Sequence, residues 1–313
     1  MVAAGALISA VLVMPAAMWV ARRSGLVDRP GPLKVHATPV PYLGGLGVAA
    51  ALAWGTGATR PSLLVPLAAA LGLGLLDDAK TMSPVSRFIG ELAIGAAVGM
   101  CLPVGDHRAF SVVFAALATV VLCNSVNMID GLDGLAGGTT LVAAIGFYIV
   151  LPGDGATIAI ALTAGLAAFL AFNLPPAGVY LGDSGAYLVG TALTILFILA
   201  CRSNSGASFG AAALLVGYPL VELVFTVVRR SLRGMSPLKG DRDHIYDQLH
   251  ARGASTAMAA LACVVAQAML VAVGIAVAPR SPASGLVIAC ACGMMILVAG
   301  ILSGFLAPPT RRP

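Results

Sequence analysis

A chain of 313 residues that is 59% hydrophobic and only 10% charged is too poor in charge for a water-soluble domain, where about a quarter of residues are charged. The length alone would accommodate two soluble domains, so it is composition that points to one helical bundle in lipid. The net charge of +5 then reflects membrane topology rather than nucleic-acid binding.

In chain order, the run from Val2 to Val20 is long enough to cross about 30 Å of hydrocarbon. No basic segment precedes it and Arg22-Arg23 follow it, so it reads as a retained first helix with its N-terminus outside, not as a signal peptide. Further apolar stretches at about 43–58, 62–76, 86–103, 109–126, 135–151, 156–173, 184–200, 208–228, 257–278 and 284–305 bring the expected spans to eleven in an all-α, single-domain polytopic bundle. Strand alternation is missing, which excludes a closed barrel. Cys101, Cys123, Cys201, Cys263, Cys290 and Cys292 are scattered without zinc or haem spacing and read as small apolar filler.

The basic residues orient the bundle. Arg22, Arg23, Arg29, Lys34, Lys80, Arg87, Arg229, Arg230, Arg233, Lys239, Arg242, Arg252, Arg311 and Arg312 fall on the inner side if the N-terminus is outside, and only Arg60, Arg108, Arg202 and Arg280 fall on the outer side. That bias predicts N-out, C-in, with inner-face loops at about 22–42, 77–86, 127–134, 174–183 and 229–256.

The acids sort the same way, although no targeting rule requires it. Asp77, Asp78, Asp130, Asp133, Asp183, Asp241, Asp243 and Asp247 lie at the inner boundary, while Asp106 and Asp154 occupy outer turns. Carboxylates at the ends of apolar helices are costly unless hydrated, paired or bound to a cation. Solvated loop acids are the bland alternative to a shared site. The adjacent carboxylates of Asp77-Asp78 repel, and oxygen ligands with retained waters suit Mg²⁺. CNSVNMIDGLDGLAGG places Asn124, Asn127, Asp130 and Asp133 at intervals of three, a slowly rotating polar stripe that lacks EF-hand spacing. In VYLGDSGAYLVG, Asp183 is either a helix cap or part of a glycine-flanked helix start open to an anionic ligand. The loop RRSLRGMSPLKGDRDHIYDQLHARG, with His244, Tyr246 and His250, could contact lipid headgroups or close over a nucleotide diphosphate. Glu222 lies midway along an apolar segment, and Arg87 and Glu91 are spaced to pair with each other.

In this order, VDRPGPLKVHATPVPYLGG, LLDDAKTMSP, NSVNMIDGLDGLAGG, YLGDSG and MSPLKGDRDHIYDQL resemble the polyprenyl-phosphate N-acetylhexosamine-1-phosphate transferase family over nearly the whole chain. The resemblance implies a transferase of the bacterial plasma membrane with a cytoplasmic active site, a UDP-sugar donor, a polyprenyl phosphate acceptor and Mg²⁺, with Mn²⁺ as a substitute. It implies Asp183 as metal ligand with Asp78 beside it, and Asp77 as proton acceptor. It places Asn127, Asp130 and Asp133 on the nucleotide sugar, with Asn124, Lys80 and Arg87 as further binding residues. His244, Asp241 and Arg242 match a last-loop motif that contacts the sugar phosphate. The family often has an acid where Thr81 stands and several histidines where Tyr246 and Asp247 stand. The triple-histidine signature of the translocase branch is absent, which favours the UDP-GlcNAc branch over a phospho-MurNAc-pentapeptide transferase. Small-residue helix faces permit a homodimer. A transporter would carry its ionisable groups nearer the midplane and show repeated halves, and a scaffold needs no such set of acids on one face.

Overall fold

The structure, a computed structural model, describes residues 1–28, 39–202, 207–236 and 240–306; the basic residues Arg29, Lys34, Lys239, Arg311 and Arg312 lie outside the described residues. The described residues form α1 (Val2–Ser24), α2 (Gly44–Thr59), α3 (Leu64–Lys80), α4 (Pro84–Cys101), α5 (Arg108–Ile129), α6 (Leu135–Val150) and α7 (Gly153–Asn173). Then come α8 (Gly182–Cys201), α9 (Phe209–Leu215), α10 (Gly217–Leu232), α11 (Ile245–Ala251), α12 (Thr256–Val277) and α13 (Pro282–Leu302). Local chemistry sets several boundaries. Ser83, Ser208, Ser255 and Ser281 each accept an N–H from the first turn of α4, α9, α12 and α13. Pro84 and Pro282 start their helices where no N–H is needed.

Among the described residues, eight helices are long and apolar enough to cross a membrane, or nine if α9 and α10 count as one bent span. The chain is therefore an all-α polytopic membrane protein. α2 and α6 match two of the expected apolar stretches but have 16 residues each, short of the ~20 that a straight span needs. α8 forms the axis of the bundle, packed by α2, α3, α5 and α7. It is apolar on every side because every side meets another helix.

The expected span at 208–228 is not one straight helix. The chain turns by 82° between α9 and α10. Pro219, in the first turn of α10, has no N–H to continue the α9 ladder. The groups freed at the break find a partner 49 and 52 residues away. Gln267 of α12, fully buried, accepts the Tyr218 N–H (2.8 Å) and donates to the Leu215 carbonyl (2.6 Å). Non-helical backbone at membrane depth persists only where protein satisfies it. Gln267→Leu is expected to orphan both groups at about 1–3 kcal/mol each. A clear drop in the apparent melting temperature in detergent would show it, and an unchanged melting temperature would mean that Gln267 does not hold the break.

The 20-residue α8 separates two polar ends by about 30 Å. At its C-terminal end, Arg60, Asp106, Asp154 and Arg202 line a cavity of about 390 Å³, with Arg60 paired to Asp154 at 2.8 Å. At its N-terminal end the remaining acids collect.

Candidate active site

Close helix packing brings the acids together. α3 approaches the first turn of α8 so tightly at Gly74 that a Cβ there would lie 2.3 Å from Ser184 Cα. Asp78, one turn on and on the same face, therefore sits under the start of α8. Its two oxygens accept the N–H groups of Asp183 (2.9 Å) and Ser184 (3.1 Å). The preceding N–H, of Gly182, goes to Asp130 at the end of α5 (3.2 Å). These first amides have no partner within α8 and carry the positive end of its dipole, so they draw carboxylates from two other segments.

Two expectations change. Asp77 and Asp78 do not face one point together, because successive helix residues meet different partners. Nor is the start of α8 open to an anionic ligand, since its amides are occupied and Gly182 and Gly185 are buried against Tyr42, Asp78 and Gly45. Asp183 is not the cap, a position held by Leu181. The Asp183 Oδ1 accepts a short hydrogen bond from Asn127 Nδ2, and Oδ2 has no protein donor among the described residues.

Asp77 is buried and turned away from Asp78. Its Oδ1 accepts the Met82 N–H (2.6 Å), and its Oδ2 accepts the Tyr187 hydroxyl (2.8 Å) and faces Arg87 at 3.5 Å. Arg87 thus pairs with Asp77 and not with Glu91. Glu91, also buried, instead accepts from Asn124 Nδ2 (2.7 Å). Asp133 accepts the Ala177 N–H (3.0 Å), and Asn173 links the Gly134 N–H (2.9 Å) to the Val179 carbonyl (2.8 Å). The asparagine–aspartate turn is in this way tied to the 174–181 segment. Loss of water around Asp130, reinforced by repulsion from Asp183, pushes its carboxyl well above the usual carboxylate range.

The last loop folds over this turn and contains α11, a helix that the expected loop at 229–256 did not include. Tyr246 lies so close to Gly131 that a Cβ there would be 2.1 Å from its hydroxyl oxygen, and the hydroxyl donates to the Met128 carbonyl (3.1 Å). Arg229 and Arg230 turn inward onto Asp241, at 3.0 and 2.8 Å, and Arg233 pairs with Asp243 at 2.6 Å. Burial works against ionisation of Asp241, but the hydrogen bonds from Arg230 and Arg229 outweigh it and hold the carboxyl below its usual range. His244 is buried, with Nδ1 at 2.9 Å from Glu222 and its ring stacked on Tyr246.

Between these elements opens a cavity of about 1200 Å³. Its polar lining includes Arg87, Asn124, Asn127, Asp130, Asp133, Asp241, Arg242 and His244. Phe88 of α4, Val120 and Val121 of α5, and Leu223 and Val227 of α10 are among its apolar lining residues. Asp77, Asp78 and Asp183 are not themselves among the lining residues, and Asp183 adjoins the lining through the hydrogen bond from Asn127. Lys80 is exposed at the end of α3 and does not line the cavity. Among the described residues no three Asp, Glu, His or Cys side chains surround one point as a preformed metal cage would. The oxygen-rich margin at Asp130 and Asp183 still fits a hard cation such as Mg²⁺, which keeps waters and takes only one or two carboxylates when substrate phosphates complete its shell.

Sequence reasoning missed Tyr187 and Asn173, and read Glu91 only as a partner for Arg87. Tyr187 carried a usable signal, lying four residues after Asp183 on the same helix face. Asn173, at the end of an apolar run, carried none.

The profile of glycosyl transferase family 4 matches residues 61–201. An Escherichia coli K12 protein named undecaprenyl-phosphate alpha-N-acetylglucosaminyl 1-phosphate transferase is 30% identical over 82% of this chain and 77% of its own length. A Mycobacterium tuberculosis H37Rv protein named decaprenyl-phosphate N-acetylglucosaminephosphotransferase is 28% identical over 73% of this chain and 70% of its own length.

Proposed function

The chain belongs to glycosyl transferase family 4, and from that membership we propose that it transfers N-acetylglucosamine 1-phosphate from UDP-N-acetylglucosamine to a polyprenyl phosphate, releasing UMP. The observation that carries this reading is a single cavity with two characters. Its lining combines carboxylates, arginines and a histidine with apolar side chains from three helices, α4, α5 and α10. A water-soluble nucleotide sugar suits the polar groups and a prenyl chain the apolar ones. The relatives' names supply the sugar and the lipid phosphate.

In the reaction a lipid-phosphate oxygen attacks the sugar-bearing phosphorus, a new diphosphate bond forms, and the bond to UMP breaks. A phosphate monoester has a second pKa of about 6, so the nucleophile is largely ionised at neutral pH without a strong base. This fits the position of Asp77, which is expected from the family pattern to accept a proton but has both oxygens engaged and is not among the lining residues. A general base needs hydrogen-bond reach to the proton it takes. We therefore assign Asp77 to fixing Arg87, whose guanidinium lines the cavity where phosphate charge collects. Asn127, Asp130, Asp133 and Arg242 take the donor, and Asp78 braces α8 so that Asp183 faces Asn127. Mg²⁺, or Mn²⁺ in its place, held by Asp183 with Asp130, would supply charge neutralisation across the donor diphosphate. The bias of basic residues assigns this end of the bundle to the cytoplasmic face of a bacterial plasma membrane.

Purified protein incubated with polyprenyl phosphate and either labelled UDP-GlcNAc or UDP-MurNAc-pentapeptide tests the proposal. UMP release and a labelled lipid are expected with UDP-GlcNAc. Turnover of the pentapeptide donor alone would overturn the choice of sugar, and turnover of neither would overturn the reaction.

A further inference from the structure

We propose that Glu222 is a positioning residue for His244, holding the imidazole so that Nδ1 points into the protein and Nε2 is the nitrogen offered to the cavity. The role of His244 in transfer rests on the reaction proposed above; the contact itself does not. Glu222 lies in α10 among apolar residues and is fully buried. A carboxylate there is costly unless donors surround it. They do so from both sides. The Ile245 N–H reaches both carboxylate oxygens at 3.2 Å, His244 Nδ1 lies 2.9 Å from Oε1, and the hydroxyls of Tyr218 and Thr226 each donate at 3.3 Å.

Within this shell the side chain of His244 is the one group able to bear a positive charge. An ionised carboxylate only accepts hydrogen bonds, so facing an ionised Glu222 it is Nδ1 that carries the proton; Thr226 Oγ1 also lies 3.2 Å from Nδ1 and in this tautomer gives its own proton to Glu222. The ring cannot readily turn over, because it stacks on Tyr246 with centroids 5.3 Å apart and planes within 4°, and Tyr246 is itself bonded to the Met128 carbonyl. At the other edge, Nε2 stands 3.9 Å from Asp241 Oδ1, too far for a hydrogen bond. Asp241 is moreover committed to Arg229 and Arg230. His244 lines the cavity, so Nε2 remains for the substrate. Whenever Nε2 takes up a proton and donates it to a phosphate oxygen, Glu222 stabilises the imidazolium from behind. A residue 22 positions earlier in the chain thereby decides what His244 presents.

The test combines a tautomer measurement with kinetics. In protein carrying ¹⁵N-histidine, with the His244 signals assigned by their loss in H244N, the neutral ring of the wild type is expected to be protonated at Nδ1. In E222Q, whose amide can donate as well as accept, the signals are expected to shift towards the Nε2-protonated form. A wild-type ring protonated at Nε2 overturns the proposal, and this arm needs no activity. In the transfer assay E222Q should lose about ten- to a hundredfold in kcat, the range for outer partners that orient a histidine, with KM for the donor little changed. E222D should recover part of the loss. In the H244N background E222Q should cost almost nothing further, and a fully additive loss would show a role unconnected with His244. If the wild type releases no UMP while Nδ1 is protonated, the proposed reaction fails and the positioning contact stands.

Discussion

Asp183→Asn is expected to leave the protein folded and inserted while lowering Mg²⁺-dependent UMP release by about a thousandfold or more, the scale on which removal of a charge-stabilising element acts. The substitution is a clean one in this site. Asparagine keeps the Oδ1 that accepts from Asn127, and the backbone N–H that donates to Asp78 is untouched. What disappears is the negative charge and the one oxygen without a protein donor. Thermal stability in detergent should therefore match the wild type, and raising the Mg²⁺ concentration should restore little activity. Near-normal turnover in this variant would remove Asp183 from the cation site. Wild-type protein stripped of divalent ions should show a similar loss that Mg²⁺ reverses.

The second large effect is expected for Asp77→Asn, with turnover reduced about a hundredfold and UDP-sugar binding little changed. Asparagine can still accept the Met82 N–H or the Tyr187 hydroxyl, but it carries no charge to hold Arg87 at 3.5 Å. The guanidinium would then lose its fixed position at the cavity wall during the step in which phosphate charge is redistributed. Because the effect runs through Arg87, Asp77→Asn should add little to the loss already caused by Arg87→Gln, since residues that act as one unit do not add. Equal and additive losses would instead give Asp77 a direct part in the chemistry. Isothermal titration with UDP-GlcNAc separates binding from turnover in both variants.

The positions of the spans were legible because lipid imposes one demand on every crossing segment. Each apolar stretch expected from the sequence coincides with a helix or, at 208–228, with the bent pair α9 and α10. The bend was illegible because a proline midway along an apolar stretch is tolerated in membrane helices, and only Gln267, on a later helix, satisfies the backbone groups that a full break there leaves open. The clustering of acids was also legible, since alternating helices return Asp78, Asp130 and Asp183 to the same end of the bundle. Their individual partners were not. Adjacent Asp77 and Asp78 suggested a shared cation, yet a rotation of about 100° per helix residue gives one to Arg87 and Tyr187 and the other to the amides of α8. Arg87 and Glu91 looked like partners at helical spacing, but each is closer to a group on another helix.

From the sequence alone it was already determined that this chain lives in lipid as a helical bundle and gathers its aspartates at one boundary, because hydropathy and alternating topology act on each segment separately. Only the tertiary structure decided which carboxylate meets a helix start, which holds an arginine and which aims a histidine. Those choices depend on distances of a few ångströms between groups far apart in the chain, where burial makes every donor and acceptor find a specific partner.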